Sequence, residues 1–258
     1  MKVFLSALEP KRDKNKEICK MLLDKNIKFK YNLMSFFYIK QRNDDIPEII
    51  RDNSELIMID SGAHTFQKGK KVDWIEYTKQ YAQFIKKFDR PNVVGYFEMD
   101  VDNIIGYDKV LELRKILESV SDKIIPVWHK NRGIQDFKDM CKKYAGKVIA
   151  ITGFKNEDIK DEQYMMFLKY AKKYNCKVHC LGMTRKKVLD KVPFDFVDSS
   201  SWAQSAIFGR IDNRGKVSKQ YSKTNRENIF VLNYIENMKM QEYYYQRWRN
   251  VCKDWLYF

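Results

Sequence analysis

Two aspartates close short apolar runs. Asp60 ends LIMID (56–60) and is followed by Ser61, Gly62 and Ala63; Asp198 ends FDFVD (194–198) and is followed by Ser199, Ser200 and Ser201. An apolar strand that stops at a carboxylate before a turn of small residues lifts that carboxylate to a rim. Two carboxylates on one rim can divide nucleophilic and proton-transfer work, as in exchange at an anomeric carbon. Other apolar runs also end in polar or small residues: Glu98-Met99-Asp100, Trp128-His129, Thr152-Gly153 and Leu181-Gly182-Met183. Each has a plainer use. Asp before Ser-Gly often caps its own turn, and Asp198 can cap the segment opened by its serines. Asp100 and Asp102, in DVDN, can be turn residues. His129 can be a satisfied structural histidine, and His64 a loop residue.

The elements that must hold these groups can be read from periodicity. Eight runs have strand character: 2–7, a segment within 29–39, 56–60, 93–100, 124–129, 148–153, 177–182 and 194–199. They are rich in Val, Ile and Phe with little polar alternation, which suits strands buried on both faces of a parallel sheet. Helical spacing fills the gaps. Trp74, Tyr77, Tyr81, Phe84, Ile85 and Phe88 form one stripe behind a candidate cap at Asp73. Phe167, Tyr170, Ala171 and Tyr174 form another, with Asp158 as the candidate start. Eight strands alternating with helices predict an α/β fold, a (β/α)8 TIM barrel over 1–202, whose chemistry lies at the C-terminal strand ends. The competing open doubly wound sheet lacks a GxGxxG or GxxxxGK[ST] phosphate loop.

Past residue 202 the pattern changes. Residues 203–258 predict a hairpin turning at Asn213-Arg214-Gly215 and then a long helix from about Asn225. Its face is marked by Val231, Tyr234, Ile235, Met238, Tyr244, Tyr245, Trp248, Val251, Cys252 and Trp255. This extension is expected to pack on the barrel as part of the same domain. Its aromatic-basic stretch, Tyr243 to Arg249, can alternatively serve nucleic-acid contact or a homodimer interface.

Lys and Arg total 49 against 34 Asp and Glu, a net charge of +15. That favours polyanionic partners such as nucleic acid, set against a merely Lys-rich solvated surface. No run of ~18 apolar residues exists, so no membrane span is expected. The five cysteines, Cys19, Cys141, Cys176, Cys180 and Cys252, are scattered and odd in number, which predicts a reducing, cytoplasmic setting without a disulfide framework. Cys176, His179 and Cys180 have metal-ligand character. Yet KVHCL reads as a strand, which sends neighbours to opposite faces, and no second CxxC pair exists. No metal or cofactor is expected.

These residues carry a resemblance. Asp60-Ser61-Gly62-Ala63 with Phe66-Gln67 resembles the DSGGFQ motif of the tRNA-guanine transglycosylases. Asp195-Phe196-Val197-Asp198 resembles that family's D-[ML]-F-D segment, whose last Asp is the nucleophile. The match spans 56–201. It departs in several places: no CxCxxC-plus-His zinc site follows the barrel, Ala63 replaces the second Gly, His64-Thr65 is inserted, and Ser199 replaces a cysteine. The shorter zinc-free form is similar to phage-type members that place 7-deazaguanines in DNA.

The resemblance implies a base exchange through a covalent Asp198–glycosyl intermediate, with Asp60 as general acid/base. It implies that Asp100 reads the guanine N1 and N2 edge, with Glu98 in that role if the register shifts by two. His129 stands where the family has an amide on the base, and Ser61, Gly62, Gly153 and Gly182 line the base pocket. The co-substrate would be a 7-deazaguanine such as preQ0, and the polynucleotide DNA more than tRNA. Phosphate contacts are expected from Lys130, Arg132, Arg185, Lys186, Lys187, Arg210 and Arg214, with Trp202 stacking on nucleotide or packing inside. The competing functions are a glycoside or nucleoside hydrolase using the same carboxylates, and a non-catalytic nucleic-acid-binding barrel.

Overall fold

The computed structural model describes residues 1–11, 17–66, 72–152, 159–213, 216–220 and 226–252. The elements run β1 (Lys2–Ser6), α1 (Ile18–Asp24), β2 (Phe29–Ser35), α2 (Phe36–Ile39), α3 (Ile46–Asp52), β3 (Ser54–Asp60), α4 (Trp74–Phe88) and β4 (Val93–Phe97). Then come α5 (Asp102–Ile105), α6 (Tyr107–Glu118), β5 (Ile124–Ile125), β6 (Val127–Trp128), α7 (Gly133–Lys143), β7 (Val148–Thr152), α8 (Tyr164–Lys172), β8 (Lys177–Leu181), α9 (Lys186–Leu189) and β9 (Phe196–Ser199). The chain continues through α10 (Ser201–Ile207), the antiparallel hairpin β10 (Arg210–Asn213) and β11 (Lys216–Gln220), and α11 (Arg226–Trp248).

The first nine strands form one parallel sheet in the order β5-β4-β3-β2-β1-β9-β8-β7-β6. Its two end strands are halves of a single predicted strand. Pro126 has no N–H to give, so the ladder switches partner there: β5 pairs with β4, and β6 pairs with β7. The circuit thus continues across Pro126, and the architecture is the TIM-like α/β barrel that the apolar runs predict.

Three apolar layers explain why those runs are so continuous. Phe4, Tyr31, Leu33, Met58, Val94, Phe97, Ala150 and Phe196 fill the barrel interior. Alternate residues of the same strands meet the helices instead, as Leu5, Ile57, Ile59 and Tyr96 do on one side and Val178, Cys180 and Val197 on the other. Such strands cannot show the apolar–polar alternation of a half-exposed sheet.

The helix stripes hold as read, with one boundary moved. Asp73 caps α4, its carboxylate accepting from the Glu76 N–H at 3.0 Å, and Tyr77, Tyr81, Ile85 and Phe88 are buried along one face. Asp158 lies outside the described residues, and α8 itself starts at Tyr164, after a short turn at Asp161–Gln163.

The extension packs where an eighth barrel helix would. The Gln241 side chain on α11 donates to the carbonyls of Val3 at 2.8 Å and Tyr31 at 2.7 Å. It thereby ties together the starts of β1 and β2, which pair directly only at Leu5–Asn32 and Ser6–Leu33. Tyr234 donates to Asn32 Oδ1 at 2.8 Å. Tyr244 and Trp248 hydrogen-bond to Asp190 and Leu189, so the aromatic-basic stretch packs on the barrel. The hairpin turn at Arg214-Gly215, and Trp255, fall outside the described residues. Among the described residues no helix is long and apolar enough to cross a membrane.

Candidate active site

β3 delivers Asp60 to the rim in the inward direction, two residues beyond Met58 of the interior layer. Its Oδ2 accepts from the Gly62 N–H at 3.0 Å, so the turn-capping use is real and coexists with a rim position. Gly62 has φ +76°, and a Cβ there would lie 2.4 Å from Phe37 Cβ. Only glycine satisfies both demands, so this Gly shapes the turn by fold necessity. Ser61 is fully buried, its carbonyl accepting from the Tyr77 hydroxyl at 2.8 Å. Burial pushes the Asp60 carboxyl up to about 7, and the charges of Asp100 and Asp198 push the same way against the N–H groups of Gly62 and Ser61. Asp60, Asp100 and Asp198 therefore share one electrostatic neighbourhood, although they come from β3, the segment after β4, and β9.

Asp198 is held at two oxygens. Oδ1 accepts from the Gly182 N–H at 2.8 Å and faces His179 Nε2 at 3.0 Å, while the Ser6 hydroxyl stands 3.4 Å from Oδ2. The turn after β9 is capped by a different residue: the Ser201 N–H donates to Ser199 Oγ at 3.3 Å. Asp198 makes no such capping bond among the described residues: its oxygens face Gly182, His179 and Ser6. Gly182, expected to make room for ribose or base, directs its N–H at Asp198.

β4 decides between the two acidic candidates that follow it. An extra residue enters β4 where Ile57 pairs with Val93 but Met58 pairs with Gly95. Beyond this bulge Glu98 points out of the barrel and is fully buried. It takes a bidentate bond from Arg114 on α6, at 2.5 and 2.9 Å, and the Val127 N–H at 2.6 Å. Glu98 as a reader of the base edge is therefore corrected: it braces β4 against α6 and the Pro126 break. Glu98→Ala should lower stability by about 3–5 kcal/mol in chemical denaturation, since it strands the buried Arg114 guanidinium.

Asp100 stands on the rim side and pairs with His129 Nε2 at 2.6 Å. Burial alone would lower the His129 pKa, but the hydrogen bond and charge of Asp100, with the charge of Asp102, raise it. Asp100, Asp102 and His129 each offer a metal-ligand atom within 4.8 Å of the others. The Arg132 guanidinium already supplies a cation there: its Nε donates to Asp102 at 3.0 Å, and the group lies 4.0 Å over the Tyr107 ring.

Several surface expectations change accordingly. Arg132, with 6% of its side chain exposed, is a buried brace and is removed from the phosphate-contact set. Trp202 is fully buried, donates to the Ser6 carbonyl at 2.8 Å and packs edge-on to Tyr234, so stacking on nucleotide is also corrected. Arg185 is engaged by Asp161 and Tyr164. Lys187 reaches Asp161 at 2.7 Å yet keeps 71% of its side chain exposed. Lys130, Lys186 and Arg210 are exposed and open to a polyanion. Gly153 and Arg214 lie outside the described residues.

Sequence reasoning missed His179 and Ser6 as parts of this site. The signal for His179 was its parity with Lys177 and Leu181 on a strand whose interior is apolar. The arrangement can hold a fixed carboxylate beside a second carboxyl poised to exchange protons near neutral pH, which is the equipment for breaking and remaking a glycosidic bond. No family model matches this chain, and no curated protein matches it.

Proposed function

We propose that this chain is a guanine transglycosylase that exchanges a guanine in a polynucleotide, DNA in preference to tRNA, for a 7-deazaguanine such as preQ0. The observation that carries this reading is the convergence of Asp60, with its carboxyl near 7, and the anchored Asp198 on one barrel rim. The DSGA and DFVD segments supply both residues.

Asp198 attacks C1′ of the target nucleotide as the bond from C1′ to the guanine nitrogen breaks. The departing base takes the proton of Asp60. The carboxylate so formed then removes the N9 proton of the incoming base. That nitrogen attacks C1′ and frees Asp198, so protons and bonds return to their starting count. Asp100 suits the guanine edge because an ionised carboxylate only accepts, and N1 and N2 both donate. The target base leaves its stack to reach the rim, while exposed Lys130, Lys186 and Arg210 hold phosphates.

Incubation with labelled guanine and duplex DNA, single-stranded DNA or tRNA tests the reading. Label is expected to enter DNA, with less entering as salt rises. Entry into tRNA alone would reverse the substrate preference. Release of free base without incorporation would show a hydrolase, and retention of DNA without either reaction a binding barrel.

A further inference from the structure

His179 is an unusual occupant of the barrel interior. It is fully buried, and its ring is enclosed by Phe97 at 4.9 Å, Phe4 at 6.3 Å and Phe196 at 6.5 Å between centroids. Nδ1 has no hydrogen-bond partner among the described residues. An imidazole in apolar surroundings with one nitrogen unsatisfied costs stability, where a Leu or Phe would pack at no such cost. The one polar contact it makes among the described residues is Nε2 to Asp198 Oδ1, at 3.0 Å.

We propose that His179 is a positioning residue that anchors Asp198 through Oδ1 and so makes Oδ2 the attacking oxygen. The inference rests on the reading of Asp198 as nucleophile. Oδ1 already accepts from the Gly182 N–H at 2.8 Å, so it is an acceptor, and Nε2 carries the hydrogen that faces it. Two donors, one from the backbone just past β8 and one from a β8 side chain, face the same oxygen. Among the described residues Oδ2 has only the Ser6 hydroxyl, at 3.4 Å, and keeps a lone pair for C1′. When Oδ2 forms the ester bond, Oδ1 becomes its carbonyl oxygen and keeps both donors. The anchor therefore holds the carboxyl plane through both displacements without moving, which is where orientation contributes to rate. His179 touches neither substrate nor reacting atoms, and Ser6, held on β1, sets the limit of rotation from the other side.

Two substitutions in the full chain separate this role from packing. His179→Leu keeps the volume and removes the donor, whereas His179→Gln places an amide N–H near the Nε2 position. His179→Leu is expected to melt no lower than wild type and to hold the KM for DNA within about threefold, while kcat falls on the order of 100-fold. His179→Gln is expected to recover at least about tenfold of that loss. A kcat for His179→Leu within threefold of wild type would overturn the proposal, as would equal impairment of the Gln and Leu variants. The contact itself is read without catalysis. In 15N-histidine-labelled protein, His179 should show the Nε2–H tautomer and shift on Asp198→Asn; the Nδ1–H tautomer, or no shift, also overturns it. If wild type exchanges no base, the proposed function fails, and this spectrum alone decides whether His179 anchors Asp198. If His179→Leu does not fold, His179→Gln and the spectrum decide.

Discussion

Asp198→Asn is expected to abolish base exchange, with kcat/KM falling by about 10⁴-fold or more, because an amide cannot form the glycosyl ester. The substitution is nearly isosteric. Its amide oxygen can still accept from the Gly182 N–H, the bond that Oδ1 makes at 2.8 Å. Folding and DNA retention should therefore persist, and melting temperature and salt-dependent retention on DNA check both. A denaturing gel gives a second readout: wild type run with DNA in the absence of incoming base should trap a protein–DNA adduct, and the Asn variant should not. Exchange by Asp198→Asn near the wild-type rate would end the double-displacement mechanism.

The second large effect belongs to Asp60. Asp60→Asn should slow exchange by roughly 10²–10⁴-fold, the range lost when a positioned acid/base is removed. It should also erase an inflection near pH 7 in the wild-type rate profile, because the carboxyl is pushed up to about 7 by burial and by the charges of Asp100 and Asp198. The same shift has a consequence for folding. The folded chain keeps the Asp60 proton up to about pH 7, while the unfolded chain loses it near the ordinary aspartate value of 3.8. Between those limits the folded state binds more protons, so stability falls as pH rises through the window and levels off above it. The loss assigned to Asp60 is on the order of 4 kcal/mol. Asp60→Asn, never charged, should therefore be more stable than wild type at pH 8 and closest to it at pH 4. Denaturant titrations at both pH values read the difference. A wild-type advantage at pH 8 would show that Asp60 is a structural cap and not a strained proton carrier.

The placement of Asp60 and Asp198 on one rim follows from inward parity on β3 and β9. The division of labour proposed for them rests on environment, since the Asp60 carboxyl is buried with like charges near it and Asp198 is held by the Gly182 N–H. Glu98 shows how far identity and environment can part. It sits two residues from Asp100 in one acidic run, yet Arg114 and the Val127 N–H make it a structural strut.

Much of the barrel was legible in the chain. Strands covered on both faces must be apolar throughout, so LIMID, VIAIT and the rest stand out from the charged helices between them. Local rules also carried the Asp73 cap and the turn at Asp60-Ser61-Gly62, because capping and left-handed φ depend on neighbours in sequence. What those rules cannot reach is side-chain direction after an irregularity and pairing across the ring. One extra residue in β4 turns Glu98 outward and leaves Asp100 with His129. Pro126 splits one strand between two partners. Trp202 looked available to a nucleotide until α11 covered it with Tyr234.

The amino-acid sequence by itself determined the barrel's strands and the two rim aspartates, because burial on both faces and turn chemistry are written in adjacent residues. Only the tertiary structure decided what stands beneath and beside them. His179 reaches Asp198 and Arg132 neutralises Asp102, because strand register and helix packing set those distances.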